Sequence, residues 1–219
     1  MKDSKTTSPL DIFIIGANGG VGKQAVTTAL QAGHRVTALL RNPANLTLTH
    51  PKLQIVKGDI MRSYTFEKYL EYKDVVISAI GNNMNKPTTL YSEGSRNLIQ
   101  AMKRMGVDRA FFISAAAIEI SPAQSFVVRL LTKYVIQKLF GHGYADQRIM
   151  ERLIKESDIN FTIVRPPKLN NKPQTGNYRY AVNSFLKNCL SISRADVAHF
   201  MINNIHNEDT FKATVEIAY

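Results

Sequence analysis

The fold is decided near the start of the chain, by the stretch Ile12-Phe13-Ile14-Ile15-Gly16-Ala17-Asn18-Gly19-Gly20-Val21-Gly22-Lys23. Its four large apolar residues predict a buried strand, and the apolar residues beyond it recur at helical spacing. Gly16, Gly19 and Gly22 have the spacing that allows a sharp turn, a close backbone approach to a pyrophosphate, and tight packing of the helix on the strand. Backbone N–H groups at the helix N-terminus, around Gly20 and Val21, would face the phosphates. The stretch therefore predicts a dinucleotide site.

The length of 219 residues limits the number of domains. It is enough for one α/β domain with a sizeable core, and too short for a second substrate domain of ordinary size. We predict a flexible tail at residues 1–9, which has no apolar signal region, and a single domain at residues 10–219. The single cysteine, Cys189, fits a reducing compartment, so we predict a cytoplasmic protein.

The net charge of +11, from 28 basic and 17 acidic residues, raises the question of a nucleic-acid partner. The basic residues are spread along the chain, and no nucleic-acid-binding motif is present, so we expect no such partner. The excess instead favours anionic cofactors and substrates. No apolar run approaches the roughly 20 residues that span a bilayer, so we expect no membrane insertion. The five histidines are scattered without metal-ligand spacing, so we expect no metal site.

Strand and helix patterns alternate along the whole chain. We predict strands at residues 11–15, 35–40, 54–57, 75–80, 110–114, 161–164 and 214–217, and helices at 21–31, 66–70, 91–105, 145–156 and 195–205. Continuous apolar strands alternating with helices predict a single Rossmann-like, doubly wound parallel sheet with helices on both faces. Residues 166–180 are rich in Asn, Pro and Gly, and we predict a substrate loop there.

The carboxyl ends of the predicted strands carry the remaining candidate cofactor residues. Arg41 stands where an NAD site usually has an acidic residue, and its guanidinium favours the 2′-phosphate of NADP, with Asn18 as a second contact. A solvated arginine at a strand end is the alternative. Asp59 would accept a hydrogen bond from the adenine amino group, or serve only the turn. The segment Ala79-Ile80-Gly81 would let the backbone pass beneath the ribose and nicotinamide, or form a plain loop.

These residues resemble those of the atypical short-chain dehydrogenases of the NmrA-like and biliverdin-IXβ reductase (flavin reductase) type. The resemblance covers about residues 10–219. It rests on the segments 16–22, Gly58-Asp59, 87–89, 92–94 with Asn97, 113–115, 162–167, 175–176 with Tyr178, and 192–198.

The resemblance implies a cofactor site and a place for the hydride. By it the cofactor is lined by Gly16, Asn18, Gly19, Val21, Gly22, Arg41, Asp59, Ile60, Gly81 and Ser114. Pro167 and Lys168 would cover the nicotinamide, and Ser114 would be the side chain nearest the hydride. The chain differs from the flavin and biliverdin reductases at two positions that bear on the hydride acceptor. Lys168 replaces a His of the flavin and biliverdin reductases, and Asn82, Asn83 or Met84 replaces an Arg.

The chain has two candidates for the Tyr-x-x-x-Lys proton donor of typical short-chain dehydrogenases. Tyr134 and Lys138 have the spacing, but Tyr134 falls on an apolar helix face, which is typical of a core residue. Tyr144 and Arg148 lie nearer the expected place, but an arginine cannot relay a proton. We therefore favour conjugated acceptors such as flavins, quinones and linear tetrapyrroles, which spread the incoming charge themselves. Lys168 would suit an anionic acceptor, or be an exposed loop lysine.

The helical pattern over residues 126–140 is amphipathic, with Arg129 and Lys133 on its polar side. It favours a packed or dimer-forming helix over a lid or a membrane contact, so the protein is expected to be a monomer or homodimer. The leading hypothesis is an NADPH-dependent reductase. An NmrA-like redox sensor that binds NADP without turnover and a carbonyl reductase are the alternatives. A sugar-nucleotide epimerase is disfavoured, because little of the chain follows its last strand.

Overall fold

The computed structural model describes residues 8–82 and 86–219. Its strands are β1 (Asp11–Ile15), β2 (Arg35–Leu40), β3 (Leu53–Lys57), β4 (Val75–Ser78), β5 (Arg109–Ile113), β6 (Asn160–Arg165), β7 (Lys168–Asn170), β8 (Arg179–Val182), β9 (Ser191–Ser193) and β10 (Ala213–Ala218). Its helices are α1 (Gly20–Gln31), α2 (Leu90–Met105), α3 (Phe126–Leu131), α4 (Gln137–Leu139), α5 (Gly141–Lys155) and α6 (Arg194–Asn203), with a π-helical turn at Thr132–Ile136. Most of the predicted tail, and the candidates Asn83 and Met84, lie outside the described residues.

Eight of these strands form one sheet in the order β3-β2-β1-β4-β5-β6-β10-β8. All neighbours in it are parallel except β8, which pairs antiparallel with β10. The predicted Rossmann-like sheet is thus confirmed, with an antiparallel edge strand that the prediction lacked. The chain winds outward from β1 in one direction and from β4 in the other. The switch point of a doubly wound sheet, where ligands bind, therefore lies between β1 and β4.

Helices cover both faces of the sheet, as predicted. Successive residues of β1 point to opposite faces. Ile12 and Ile14 join the core beneath α1 and α6, whereas Phe13 and Ile15 join the core beneath α2 and α5. Because β1 is buried on both faces, its sequence is apolar at every position from 12 to 15.

Two predicted elements differ in the structure. The predicted helix at residues 66–70 is a 3₁₀ helix, Glu67–Leu70, which follows another at Ser63–Thr65. The predicted loop at 166–180 contains β7 and the beginning of β8. β7 pairs only with β9, more than 20 residues away along the chain, through Lys168 opposite Ser191. A strand of three residues has no periodicity of its own, so the local sequence did not predict it.

The helical run from Phe126 to Leu139 lies on the surface with large apolar side chains in solvent, so it is not packed into the core of the domain; that it forms a dimer contact stays a prediction. We call the exposed set the apolar ridge; it consists of Phe126, Val127, Leu130, Leu131, Tyr134, Val135 and Leu139. Tyr134 is 60% exposed, so the core position predicted for it is wrong. Apolar residues occupy more of the helix circumference than one packed face can cover. Within the described residues, no helix combines the length and apolarity that crossing a membrane requires.

Candidate cofactor site

A crevice of about 1100 Å³ opens at the carboxyl ends of the parallel strands, at the switch point. We call it the cofactor crevice. Thirteen of the predicted site residues line it: Gly16, Asn18, Gly19, Gly20, Val21, Arg41, Asp59, Ile60, Ala79, Ile80, Gly81, Ser114 and Pro167. Of the remaining predicted site residues, Gly22 packs behind the turn and Lys168 is exposed outside the crevice. Small-molecule and cofactor pockets typically have volumes of roughly 300–1000 Å³, so the crevice has room for a dinucleotide.

The glycine turn after β1 needs glycine at its first and last positions. Gly16 has a φ of +78°, and a Cβ added there would lie 2.3 Å from the carbonyl oxygen of Ala79. At Gly22 an added Cβ would lie 2.1 Å from the carbonyl oxygen of Gly16. The amide of Gly19 closes the turn by donating to that same oxygen at 2.8 Å. Gly16 thus allows the turn to pass against β4, and Gly22 allows α1 to pack against the turn.

The N-terminus of α1 opens into the crevice without a side-chain cap. Gly19 is the N-cap residue, and no acidic residue lies in the first turn. Unpaired backbone N–H groups and the helix dipole favour an anion at such an end. Arg194, which also lines the crevice, passes so close to Gly20 that a Cβ there would lie 2.4 Å from the arginine Cδ and Nε. This arginine, which the sequence analysis missed, adds a cation beside the helix N-terminus.

Two polar residues lie toward the β2 end of the crevice. Arg41 is exposed there, and among the described residues no carboxylate lies within ion-pair distance of it. Asp59 accepts a hydrogen bond from the amide of Met61 at 3.0 Å, so its turn role is present. Asp59 also lines the crevice, and its adenine contact stays a prediction.

Ser114 is buried at the end of β5 and is tied to a charged network. Its hydroxyl donates to Glu151 at 2.7 Å, and Arg165 Nε donates to the same carboxylate at 2.8 Å. Arg165 also pairs with Glu119 at 2.9 Å. Burial opposes the charge on Arg165, but the bonds with Glu151 and Glu119 outweigh it and raise the arginine pKa. The proton of Ser114 is thus directed at a carboxylate rather than into the crevice.

Helices α2 and α5 contribute three polar crevice residues that the cofactor prediction omitted: Tyr91, Tyr144 and Gln147. Burial raises the pKa of both tyrosines. Arg148, the predicted partner of Tyr144, lies outside the crevice lining and donates to the carbonyl oxygen of Ile118 at 2.7 Å. Tyr134 does not line the crevice either. Neither predicted tyrosine–cation pair is therefore assembled over the crevice.

A buried hydrogen-bond acceptor on Gln147 bears on whether the crevice suits a nicotinamide dinucleotide. Its side chain is 4% exposed, and its Oε1 has no hydrogen-bond partner among the described residues. A buried acceptor without a donor is costly, so a ligand hydroxyl or amide that donates to it would be favoured. The ribose hydroxyls and the carboxamide of NAD(P)H are such donors. Gln147 lies one helical turn after Tyr144, and that spacing was the available sequence indication of it.

The segment after β6 lies over the opposite side of the crevice. Pro167 and Leu169 line the crevice, whereas Lys168 is exposed and does not. Side chains alternate along a strand, so Lys168 in β7 points away from the crevice that Leu169 faces. The structure therefore does not bring Lys168 to the predicted position over the nicotinamide.

Asp196 fastens this segment to the rest of the domain. It accepts from the amides of Thr175 and Gly176 at 2.8 and 2.9 Å, and from the hydroxyl of Tyr219 at 2.7 Å. Burial would raise the pKa of Asp196, but these hydrogen bonds outweigh it and lower the pKa. The carboxylate thus joins the segment, the start of α6 and the last residue of the chain.

Comparisons with known proteins agree with this geometry. The chain is 31% identical to an uncharacterised chloroplastic protein of Arabidopsis thaliana, over 94% of this chain and 75% of the relative. A short-chain dehydrogenase/reductase of Veillonella parvula, solved in complex with NADP, has a TM-score of 0.78 at 18% identity, covering 96% of this chain and 94% of that one. ChuY, an anaerobillin reductase of Escherichia coli O157:H7, has a TM-score of 0.76 at 19% identity, covering 94% and 96%.

The fold and the matches define a Rossmann-fold nucleotide-binding protein. The chain belongs to the NAD(P)H-binding family, which it matches over residues 16–208. The family confirms the prediction of an NAD(P)-binding protein, and the solved short-chain dehydrogenase/reductase and anaerobillin reductase structures share the predicted fold. Names among the further matches include both dehydrogenases and sugar epimerases. In the described part of the chain, no group of three His, Cys, Asp or Glu residues is placed to hold a metal ion.

Proposed function

We propose that this protein is an NADPH-dependent reductase that transfers a hydride to a conjugated acceptor, such as a flavin, a quinone or a linear tetrapyrrole. The observation that carries the proposal is the crevice itself. It combines a glycine turn and two arginines, which suit a phosphorylated dinucleotide, with tyrosines that have no cationic partner.

The preference for NADPH rests on Arg41. Arg41 lies at the crevice end of β2, at the position where an NAD site usually has an acidic residue that binds the ribose 2′-hydroxyl. A guanidinium binds a phosphate through two parallel hydrogen bonds. Arg194 and the N-terminus of α1 would hold the pyrophosphate, and Gln147 would accept a hydrogen bond from the nicotinamide half of the cofactor.

The choice of acceptor follows from the lack of a prepared proton donor. NADPH, when bound, supplies the hydride. A ketone that receives hydride also needs a proton on its oxygen, and a tyrosine suits this task when a neighbouring cation lowers its pKa. Burial instead raises the pKa of Tyr144 and Tyr91, and the proton of Ser114 is held by Glu151. An extended π-system spreads the incoming charge and needs less from the protein than orientation and exclusion of water.

Segment 166–180 is the substrate loop in this proposal. Pro167 and Leu169 would form an apolar cover over the nicotinamide and the acceptor plane. Asp196 would hold the loop in place through Thr175 and Gly176. A monomer or homodimer in the cytoplasm remains our proposal for the assembly and location.

The first experiment measures cofactor choice. NADPH should bind more tightly than NADH, and Arg41→Ala should weaken NADPH binding by about 5- to 30-fold. A charge-assisted pair contributes roughly 1.5–3 kcal/mol, which we lower to about 1–2 because Arg41 is exposed. Arg62→Ala is the matched control, since Arg62 is exposed and does not line the crevice. Equal affinities for both cofactors, or equal losses in both variants, would contradict the assignment.

The second experiment measures NADPH oxidation with a panel of acceptors. A flavin, a quinone and a linear tetrapyrrole are compared with simple aldehydes and ketones at equal concentration. The proposal expects turnover with at least one conjugated acceptor and little with the carbonyl compounds. Tight NADPH binding without turnover of any acceptor would instead indicate a redox sensor.

Carbonyl reduction is the second candidate, because Tyr144 lines the crevice. In that case the phenol itself would donate the proton, despite its raised pKa. Preferential turnover of ketones, lost in Tyr144→Phe, would favour this candidate over the first.

A further inference from the structure

The apolar ridge is a second surface feature that cofactor binding does not explain. Phe126 and Val127 are 71% and 72% exposed, and the other members are 40–60% exposed. The opposite side of the same helical run is already half-buried against the domain, and Gln137 anchors it by donating to the carbonyl oxygen of Ala117 at 2.9 Å. A contiguous exposed set of this kind marks a binding surface.

The charged residues within the helical run all have one sign. Arg129, Lys133 and Lys138 are exposed within the same helical run. No acidic residue occurs in the sequence between Glu119 and Asp146. A helix that carries large apolar side chains beside Lys and Arg, and no acids, has the composition of a segment that lies in the interface of an anionic bilayer.

A second copy of the chain is a poorer occupant. In a two-fold symmetric contact through the ridge, each subunit would bring Arg129, Lys133 and Lys138 to the other. The ridge holds no carboxylate to pair with them, so the contact would bring like charges together. An anionic surface has the complementary charge.

We infer that the apolar ridge binds the surface of an anionic lipid bilayer, with its apolar side chains among the acyl chains and its basic residues at the headgroups. The run is followed by Phe140, which lines the cofactor crevice and packs edge-on against Tyr144, with ring centroids 6.1 Å apart. A bound ridge would therefore place the crevice beside the lipid surface. The inference concerns lipid binding and does not depend on turnover.

The test is co-sedimentation of the whole protein with vesicles. One set is phosphatidylcholine alone, and the other contains phosphatidylglycerol as well. Each basic residue near an anionic surface contributes about fivefold in partitioning, so three predict roughly hundredfold stronger binding to the anionic vesicles. That preference should shrink as the salt concentration rises.

Two variants divide the ridge into its apolar and charged parts. Phe126→Asn with Val127→Asn removes two apolar side chains without changing the charge, and should weaken binding at least tenfold. Both residues are exposed in the first turn of α3, so the fold should survive. The triple change Arg129→Gln, Lys133→Gln and Lys138→Gln should abolish the preference for anionic vesicles.

Matched controls lie away from the ridge. Tyr72→Asn alters an 85% exposed aromatic residue outside it without changing the charge. Lys57→Gln, Lys172→Gln and Lys187→Gln together remove the same charge from exposed positions. Both controls should bind like the wild type, and thermal unfolding verifies that every variant is folded.

Three results would overturn the inference. They are absence of binding to anionic vesicles, equal binding to both kinds of vesicle, and losses in the controls as large as those in the ridge variants. Light scattering adds a fourth: ridge-dependent dimers without vesicle binding would show that a second copy covers the ridge. None of these results bears on NADPH affinity or turnover, which the experiments on the cofactor crevice measure separately.

Discussion

Gly22→Ala tests the packing of α1 against the glycine turn. The new Cβ would lie 2.1 Å from the carbonyl oxygen of Gly16 and 2.7 Å from its carbonyl carbon. Both atoms belong to the backbone of a turn that is itself held against β4, so neither can move aside without disturbing the sheet. Because carbon atoms pack at about 3.5–4.0 Å, relief would need a backbone shift of about 1 Å.

Two effects of opposite sign determine how much Gly22→Ala changes the free energy of unfolding. Overpacking of this kind costs typically about 1–3 kcal/mol, and more when the backbone has to move. Alanine in place of glycine in a helix stabilises by about 1 kcal/mol. We expect a net loss of about 1–2 kcal/mol in the free energy of unfolding. For a chain of this length that corresponds to a fall in Tm of about 2–8 °C.

Gly20→Ala is the matched control in the same helix turn. Its Cβ would meet the Cδ and Nε of Arg194 at 2.4 Å, and this flexible side chain can move. The control should therefore keep or slightly raise the stability, while NADPH binding falls because Arg194 is displaced from the turn. Urea and thermal unfolding of both variants measure the difference. If Gly22→Ala were as stable as Gly20→Ala, the packing argument would be wrong.

Three further predictions concern a buried ion pair, a buried carboxylate and two tyrosines. Arg165→Met should cost about 3–5 kcal/mol of stability, because among the described residues it leaves the buried Glu151 with Lys155 at 3.6 Å as its remaining cation. Arg104→Met, which removes an exposed pair, should cost clearly less, and equal losses in urea denaturation would refute this. Because the pKa of Asp196 is lowered from 3.8 in the folded state, its contribution to the free energy of unfolding is present above pH 3.8 and is lost as the pH falls below it. Asp196→Asn should therefore make the free energy of unfolding fall less steeply at acid pH. An unchanged pH dependence would contradict the argument. Tyr134→Phe and Tyr144→Phe should each keep NADPH oxidation with conjugated acceptors within a few-fold of wild type, whereas a loss of about 10²-fold would identify a general acid.

Much of the fold was predictable because the buried parallel strands leave a strong pattern. Ile12 to Ile15 are apolar at every position because both faces of β1 are covered. The strands β7, β8 and β9 were not predicted, since they are short and depend on partners distant in sequence. The helix at 126–139 was predicted from its period. The exposure of its apolar side chains was not predicted, because the spacing of apolar residues shows that a helix has an apolar face but not what covers that face.

The residues of the crevice also divide into those that the sequence predicted and those that it did not. The glycine turn, Arg41 and Ser114 were found because each follows a strand end, where a parallel sheet gathers its ligand-facing residues. Arg194, Gln147 and Tyr91 were missed as crevice residues, because helices α6, α5 and α2 bring them to the crevice from remote parts of the chain. Lys168 follows a strand end as well, but the alternation of side chains in β7 turns it outward.

The sequence by itself determined the class of fold, the position of the dinucleotide turn, and the basic residue in place of an acid at the end of β2. These features are local, because each depends on a few consecutive residues and the backbone geometry they allow. Only the tertiary structure decided which polar groups were already satisfied. Ser114 is bonded to Glu151, Arg148 to a backbone carbonyl, and Asp196 to the amides of Thr175 and Gly176, whereas Gln147 Oε1 has no partner among the described residues. A hydrogen bond between distant segments depends on the packing of the whole domain, so no local pattern could have shown which groups were left for a ligand.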